Sequence, residues 1–272
     1  TPGFHGVSEM IEWTRVIQQE SLKVHIPELV AHRGYPLHYP ENTLIGIEAA
    51  IRAGARYVEV DVQLSADRVP VLFHDRTLDR LCRAQGMIHR YTREELKAFH
   101  VLEFERFGYK FAQNPITTLA ELGALLARRP QVTAFIELKR VSIEIFGVQT
   151  VLDSVLRSLA PVTPQCVLIS YNVPVLAVAR QQGYHSVGAI LERWHHQRNA
   201  DVQAIRPDYL FCDAVDLPRF GDLEKAGAKI VVYEITDPQT ALKLAKRGIG
   251  FIETFAIGEM LAAFEPLRAP PA

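Results

Sequence analysis

Seven polar residues in the first half of the chain have side chains that suit metal and phosphate chemistry. Each lies within or directly after an apolar run: His32, Arg33, Glu59, Asp61, His74, Glu137 and Lys139. Glu59 and Asp61 alternate with valines in "VEVDV", so one face of a predicted strand carries two adjacent carboxylates. Glu137 and Lys139 show the same spacing in "FIELK" and therefore also share a strand face.

The three carboxylates predict a site for one hard divalent cation. Glu59, Asp61 and Glu137 offer oxygen ligands, which suit Mg²⁺ or Ca²⁺ rather than a thiol-seeking metal. Three clustered anions without a cation would repel and would raise one another's pKa. A divalent ion, assisted by the charges of Arg33 and Lys139, would remove that penalty.

The remaining residues suit the handling of a phosphate ester. Arg33 and Lys139 match phosphate oxygens, and an arginine can bind two of them at once. His32 and His74 could act as general acid and general base near neutral pH, in either assignment. Together with a metal ion, this set indicates metal-assisted cleavage of a phosphodiester.

The elements that position these residues alternate between short β-branched runs and longer helical segments. The strand-like runs lie at 28–34, 56–64, 69–74, 132–139, 165–170, 186–191, 207–213, 228–235 and 249–255. Repeated strand–helix units predict a parallel sheet, and about eight of them fit a (β/α)8 TIM barrel of roughly 250 residues. A doubly wound open sheet is the alternative, although no GxGxxG motif follows an early strand. In a barrel, the carboxyl ends of the strands would bring the polar residues together at one mouth.

The sequence also predicts how the chain is divided. Residues 1–25 are expected to form a helical extension, and residues 26–268 the catalytic barrel. The strand–helix rhythm breaks at about 76–116, which is too long for an ordinary connection. Because this segment follows His74, at the expected end of a strand, we predict an insertion over the catalytic face.

Composition excludes several function classes. The net charge of −1 gives no bulk electrostatic indication of binding to nucleic acid or to anionic membranes. No apolar run approaches the ~20 residues of a membrane span, so we expect no stable membrane insertion. The three cysteines, Cys82, Cys166 and Cys212, are far apart and odd in number, which favours a reducing compartment and a cytoplasmic location.

The stretch "AHRGYPLHYPENTLIGIEAAIRAGARYVEVDVQLSADRVPVLFHDRTLDR" resembles the opening of the glycerophosphodiester phosphodiesterase family. That family shows HRG, then PENT, an E-x-D strand, and HD followed by L-x-R. "ITTLAELGALL", "FIELK" and "GIGFIETFAIG" are similar to later parts of the family, so the resemblance spans about 28–262. It implies a (β/α)8 barrel with an insertion after the HD motif.

The resemblance also implies roles for the polar residues. Glu59, Asp61 and Glu137 match the family's metal ligands, and His32 and His74 match its acid/base pair. Such enzymes use a divalent cation to hydrolyse small glycerophosphodiesters, for example glycerophosphocholine and glycerophosphoethanolamine. The products are sn-glycerol 3-phosphate and an alcohol. If the glycerol 2-hydroxyl attacks, a cyclic phosphate forms first and water opens it.

The phosphate contacts of the family match Arg33 and Lys139, whereas other positions depart from its pattern. The seventh strand usually offers a tryptophan, but here "VVYEITD" places Tyr233 and Glu234 there. We predict that Tyr233 forms part of the substrate wall. The last strand ends in Glu253 and Thr254 instead of the usual aspartate. These changes make the expected wall more polar and bear on the choice of head group.

The same residues also allow other interpretations. An isolated pair such as Glu59 and Asp61 is usually a solvated strand face, and Lys139 could form a salt bridge at the barrel rim. Asn42 is predicted to be a helix N-cap. A related activity on the same barrel, of the lysophospholipase D or sphingomyelinase D type, is the alternative function. A phosphate- or sugar-binding barrel without activity ranks last, because all seven polar groups are present.

Overall fold

Eight parallel strands close into a barrel in the part of the chain that this computed structural model describes, residues 26–219, 223 and 227–268. The barrel strands are β1 (Glu28–Ala31), β2 (Tyr57–Leu64), β4 (Thr133–Leu138), β5 (Cys166–Ser170), β6 (Val187–Leu191), β7 (Tyr209–Asp213), β8 (Lys229–Tyr233) and β9 (Phe251–Thr254). Closure occurs because β1 pairs in parallel with both β2 and β9. The predicted (β/α)8 TIM barrel is therefore confirmed.

Most helices follow the strands and cover the outside of the barrel, and three short ones between residues 79 and 107 lie in a separate segment. Their bounds are α1 (Leu44–Arg52), α2 (Asp79–Cys82), α3 (Arg93–Leu96), α4 (Phe104–Phe107), α5 (Leu119–Ala127), α6 (Arg140–Phe146), α7 (Val148–Leu159), α8 (Val173–Gln181), α9 (Ala200–Ala204), α10 (Pro238–Ala245) and α11 (Ile257–Arg268). Local sequence fixes several helix starts, since Thr118, Asn172 and Asp237 each accept a backbone N–H from the first turn. Such caps are typically worth about 1 kcal/mol each. None of the described helices has the length and apolar character needed to cross a bilayer.

Two layers of apolar side chains hold this architecture together. One layer lies between strands and helices, where residues such as Val60, Leu122 and Leu152 are fully buried. The other fills the barrel interior, where the Phe135 ring packs edge-on against Tyr209 and Phe211. Because these rings fill the interior, the polar side chains at the carboxyl ends of the strands gather in the mouth above them.

Strand β3 (Pro70–Leu72) lies outside the parallel barrel. It pairs antiparallel with β2, with Leu72 opposite Val62 and Pro70 opposite Leu64. The expectation that His74 follows the carboxyl end of a barrel strand was therefore wrong. The hairpin instead folds the chain back along β2, so that the Phe73 amide donates to the Asp61 carbonyl at 2.9 Å. His74 reaches the mouth because it follows this returning strand.

The segment between β3 and α5 contains helices α2 to α4 and has a small apolar core of its own. Leu78, Leu81, Ile88, Leu96 and Ile116 are fully buried in it. It joins the barrel through β3 and contacts the loop after β1, where the Glu41 amide donates to Glu103. Its position over the catalytic face stays a prediction. The helical extension predicted for 1–25 lies outside the described residues.

Candidate active site

Three carboxylates meet at the mouth because two neighbouring strands run in register. β2 and β4 pair with Asp61 directly opposite Glu137, and Glu59 lies two residues earlier on the same face of β2. One ligand oxygen from each of the three lies within 4.8 Å of the others. All three side chains are buried, so the polar face of β2 points into the barrel mouth and not into bulk water.

Of the three carboxylates, Asp61 has its negative charge best balanced by neighbouring cations and hydrogen-bond donors. It accepts from Asn42 Nδ2 at 2.8 Å and from Lys139 Nζ at 3.0 Å, and Arg33 Nε lies 3.2 Å from Oδ2. Burial alone would raise the pKa of this carboxyl, but Lys139 and Arg33 outweigh it and hold the pKa well below its usual range. Asp61 is therefore ionised at neutral pH.

Glu59 and Glu137 have the opposite character. Burial, followed by the charge of Asp61, raises the pKa of Glu137 to about 7 and that of Glu59 well above its ordinary value. Among the described residues, Oε1 of Glu59 is buried and has no hydrogen-bond partner. A cation bound here would satisfy this buried carboxylate oxygen and balance the two carboxylates beside it. The donor set of hard oxygens fits a divalent ion such as Mg²⁺ or Ca²⁺.

Two cations border the carboxylates. Lys139 Nζ lies 3.0 Å from an oxygen of Asp61 and 3.0 Å from an oxygen of Glu137. Arg33 lies in a tight turn with φ = 56°, and its amide donates to Glu59 Oε2 at 3.1 Å. Gly34 completes the turn at φ = 92°, where a Cβ would come within 3.0 Å of the α1 backbone. This close approach explains why glycine follows Arg33.

The loop of His74 is fixed by the third polar residue of β2. Gln63 Nε2 lies within hydrogen-bond distance of the carbonyls of Phe73, His74 and Asp75, at 2.9, 3.2 and 2.6 Å. The His74 ring is one-third exposed, and its Nδ1 lies 2.8 Å from Asp75 Oδ1. An ionised Asp75 therefore favours the proton on Nδ1 and leaves Nε2 for other partners.

A charged network connects the His74 loop to Arg33. Arg80 donates to both oxygens of Asp75, at 2.7 and 2.8 Å, and to both oxygens of the buried Glu41, at 3.0 and 2.8 Å. Arg33 also donates to Glu41, at 3.1 Å. Burial acts to raise the pKa of Glu41, but the hydrogen bond from Arg80 and the charge of Arg33 lower it. The network stabilises the relative positions of His74 and Arg33.

His32 lies between two carboxylates on the other side of the mouth. Its Nδ1 is 2.7 Å from Glu234 Oε1, and its Nε2 is 3.6 Å from Glu59 Oε2. Its ring stacks on Phe255, with centroids 4.9 Å apart and planes 18° apart. Burial is the main cause that lowers the pKa of this imidazole, although Glu234 acts in the opposite direction. The ring is therefore held in one plane with each nitrogen facing a carboxylate.

The far wall of the mouth is made by aromatic and acidic side chains of the second half of the chain. The hydroxyls of Tyr171 and Tyr233 lie 2.8 Å apart, and burial raises the pKa of both phenols. Glu253 is buried, and burial followed by the charges of Glu234 and Glu137 raises its pKa well above the ordinary value. A cavity of about 270 Å³ lies between this wall and the carboxylates.

The cavity brings together most of the residues that the sequence singled out. Its lining includes His32, Arg33, Glu59, His74, Glu137, Lys139 and Tyr233, and Asp61 lies directly behind them. The prediction that Asn42 is a helix N-cap was wrong, because Thr43 caps α1 and Asn42 holds Asp61 through both its amide atoms. The backbone φ of 56° at Asn42 turns its side chain towards β2.

The structure adds residues whose contacts the sequence did not reveal. Glu41, Arg80 and Gln63 support the predicted set from behind, and Glu234 and Glu253 add carboxyl groups to the mouth. Glu41 belongs to the PENT motif and Arg80 to the L-x-R motif, so their positions were visible as motif letters. Their pairing could not be inferred, because it joins residues 39 positions apart.

Comparison with known proteins agrees with this geometry. A sequence model of the glycerophosphoryl diester phosphodiesterase family matches residues 32–253. A glycerophosphodiester phosphodiesterase of Caldanaerobacter subterraneus is 28% identical over 246 residues, covering 81% of this chain and 98% of the relative. The structure of an Oleispira antarctica phosphodiesterase in complex with the product sn-glycerol-3-phosphate superposes with a TM-score of 0.77. It is 25% identical and covers 88% of this chain and 97% of its own. The chain therefore belongs to the glycerophosphoryl diester phosphodiesterase family, a family of phosphoric diester hydrolases.

Proposed function

We propose that the protein hydrolyses glycerophosphodiesters to sn-glycerol 3-phosphate and an alcohol. One observation carries the proposal: a single cavity of about 270 Å³ holds a carboxylate cluster, an arginine, a lysine and two histidines. The cluster suits a cation, the two basic side chains suit a phosphate, and the imidazoles suit proton transfer. The Oleispira phosphodiesterase, which superposes on this chain, was solved with sn-glycerol-3-phosphate, and this supports the proposed product.

Glu59, Asp61 and Glu137 would hold one divalent cation, Mg²⁺ or Ca²⁺. When bound, such an ion supplies a positive charge that stabilises charge developing on phosphoryl oxygens in the transition state. Arg33 and Lys139 border the same carboxylates and would bind the phosphate oxygens that face them. Buried acids already hold the Arg33 and Lys139 side chains in place before the substrate arrives. Substrate binding therefore costs less side-chain conformational entropy.

His32 and His74 would move the protons of the reaction. One imidazole removes a proton from the glycerol 2-hydroxyl or from water, and the attacking oxygen forms a bond to phosphorus. The other imidazole gives a proton to the alcohol oxygen as its bond to phosphorus breaks. If the 2-hydroxyl attacks, a cyclic phosphate results, and water opens it to sn-glycerol 3-phosphate. Both rings line the cavity, and each has a carboxylate near its Nδ1.

The cavity favours small, deacylated substrates such as glycerophosphocholine and glycerophosphoethanolamine. Its walls combine the Tyr171–Tyr233 hydroxyl pair with charged residues, and only Ile169, Ile190 and Phe211 add wholly apolar side chains. Tyr233, which lines the cavity, would contact the substrate. The alcohol that leaves would lie towards the open side of the cavity, beyond the phosphate.

The test is release of glycerol 3-phosphate from both substrates, measured with EDTA and after restoring Mg²⁺ or Ca²⁺. Glu59→Gln and His32→Ala are assayed beside the wild type, with Glu105→Gln as an exposed control. We expect metal-dependent release that both site variants lose and the control keeps. A folded protein that releases nothing with either ion would overturn the proposal. Release of choline from lysophosphatidylcholine, run in parallel, would then favour the lysophospholipase D type of activity.

A further inference from the structure

We propose that Glu234 is a positioning residue that holds the His32 ring in the tautomer with its proton on Nδ1. Glu234 Oε1 lies 2.7 Å from His32 Nδ1, and among the described residues no other acidic side chain pairs with that nitrogen. The inference rests on the proposed function, because it gives Glu234 a role through the catalytic His32. It assigns a function to one of the positions at which the sequence departs from the family pattern.

The two residues come from separate parts of the barrel. His32 follows β1 and Glu234 follows β8, and these strands are separated in the sheet by β9. Glu234 must therefore reach across the carboxyl end of a strand to meet the ring. It lines the cavity, and its side chain is one-third exposed, whereas the His32 side chain is only 12% exposed. A carboxylate that turns inward to a buried imidazole is not a solvated surface group.

The geometry gives the two ring nitrogens of His32 different roles. A carboxylate near Nδ1 favours the tautomer protonated there, as carboxylates do for metal-binding and catalytic histidines. The other nitrogen, Nε2, then faces the Glu59 side of the cavity, where the substrate would lie. The ring plane is limited by its stacking on Phe255. Glu234 Oε1 and His32 Nδ1 lie at the distance of an ion pair but are not aligned as a linear hydrogen bond. We therefore expect the charge of Glu234, more than a single directional bond, to orient the His32 ring.

Two substitutions separate charge from hydrogen bonding at this position. Glu234→Gln keeps an oxygen acceptor for Nδ1 but removes the charge, and Glu234→Ala removes both. Loss of a carboxylate that orients a histidine typically reduces activity by about 10- to 100-fold. We expect kcat to fall by about that range in Glu234→Ala and by nearly as much in Glu234→Gln, which also lacks the charge, with KM within about threefold of wild type.

Asp213→Asn is the matched control. Asp213 lines the same cavity and carries the same charge, and its Oδ1 accepts from the Val215 amide at 2.9 Å, an interaction that asparagine can keep. We expect kcat to fall less in this variant than in Glu234→Ala, because no contact with His32 is lost, and Glu105→Gln, at an exposed position outside the cavity, should keep the wild-type kcat. An equal loss of kcat in Asp213→Asn and Glu234→Ala would overturn the proposal, since it would show a general effect of charge in the mouth.

A second readout does not depend on turnover. In protein labelled with ¹⁵N-histidine, treated with EDTA and held at about pH 8, the ring ¹⁵N shifts report the tautomer of each histidine. His32→Gln identifies the signals of His32 by their loss. We expect the Nδ1–H form in the wild type and a shift towards the Nε2–H form in Glu234→Ala. Unchanged His32 signals in that variant would overturn the proposal, whether or not the wild type hydrolyses a glycerophosphodiester.

Discussion

Replacing Glu137 by glutamine removes a buried carboxyl group whose ionisation the metal-free fold disfavours. Burial and the charge of Asp61 raise the pKa of Glu137 from an ordinary 4.5 to about 7, even though Lys139 opposes this. Glutamine has nearly the same shape as the protonated acid. In metal-free protein, Glu137→Gln should therefore match the wild type at low pH and become the more stable protein as pH rises.

The size of this effect follows from the pKa difference. An acid whose pKa is raised by folding stabilises the fold while it is protonated. That stability is fully present below about pH 4.5 and is lost as pH rises through about 7. At ~1.4 kcal/mol per unit, the wild type should lose about 3 kcal/mol of unfolding free energy relative to Glu137→Gln. The side chain is buried, so solvent screening reduces this value little.

Urea denaturation in EDTA at pH 5 and pH 8 measures this difference directly. Glu105→Gln, which changes an exposed carboxyl, serves as the control and should shift the unfolding free energy by less than about 0.5 kcal/mol. Adding Mg²⁺ or Ca²⁺ at pH 8 should stabilise the wild type and leave Glu137→Gln almost unchanged, because the variant lacks one ligand. Equal pH dependence of the two proteins in EDTA would refute the reasoning.

Three further outcomes are expected. Gln63→Leu leaves three carbonyls of the His74 loop without their shared donor, so we expect a loss of about 2–3 kcal/mol in urea denaturation and at least a tenfold lower kcat. Lys139→Met removes the cation between Asp61 and Glu137, and kcat/KM in the glycerol 3-phosphate assay should fall by at least about 100-fold; a fall below tenfold would contradict its role at the phosphate. Tyr233→Phe breaks the hydroxyl pair with Tyr171 and should raise KM by about two- to tenfold in steady-state kinetics, with kcat nearly unchanged.

The carboxylate face was predictable because it depends on local periodicity. Alternation in β2 determines that Glu59 and Asp61 share a face, and burial of the valines on the other face requires β2 to be covered. The parallel order of strands then brings Glu137 beside Asp61. These steps use only strand period and barrel topology, which the sequence pattern contains.

The path of the chain to His74 was not predictable in the same way. The run 69–74 has the composition of a barrel strand, but it forms an antiparallel hairpin with β2. The turn between them spans only Ser65 to Val69, which is too short for the crossover that a parallel strand needs. The shortness of this connection indicates an antiparallel pair. The apolar composition of the run, by contrast, is typical of a buried barrel strand.

Contacts between residues that lie far apart in the chain could not be predicted from the sequence. Glu234 was recognisable as a departure from the family pattern, yet its approach to His32 depends on how β8 and β1 end at the mouth. Asn42 has the residue type of an N-cap, and only the structure shows that its side chain binds Asp61 while Thr43 caps the helix. Residue type gives the possible partners, and tertiary position selects among them.

The central claim is that this cavity cleaves a glycerophosphodiester with a divalent cation bound by its carboxylates. The most direct test follows glycerophosphocholine by ³¹P NMR in the presence of the purified protein. With Mg²⁺ or Ca²⁺, the diester signal should be replaced by that of sn-glycerol 3-phosphate, with or without a transient cyclic phosphate, and EDTA should stop the conversion. A diester signal that persists with both ions, or one that disappears equally fast in EDTA, would contradict the account.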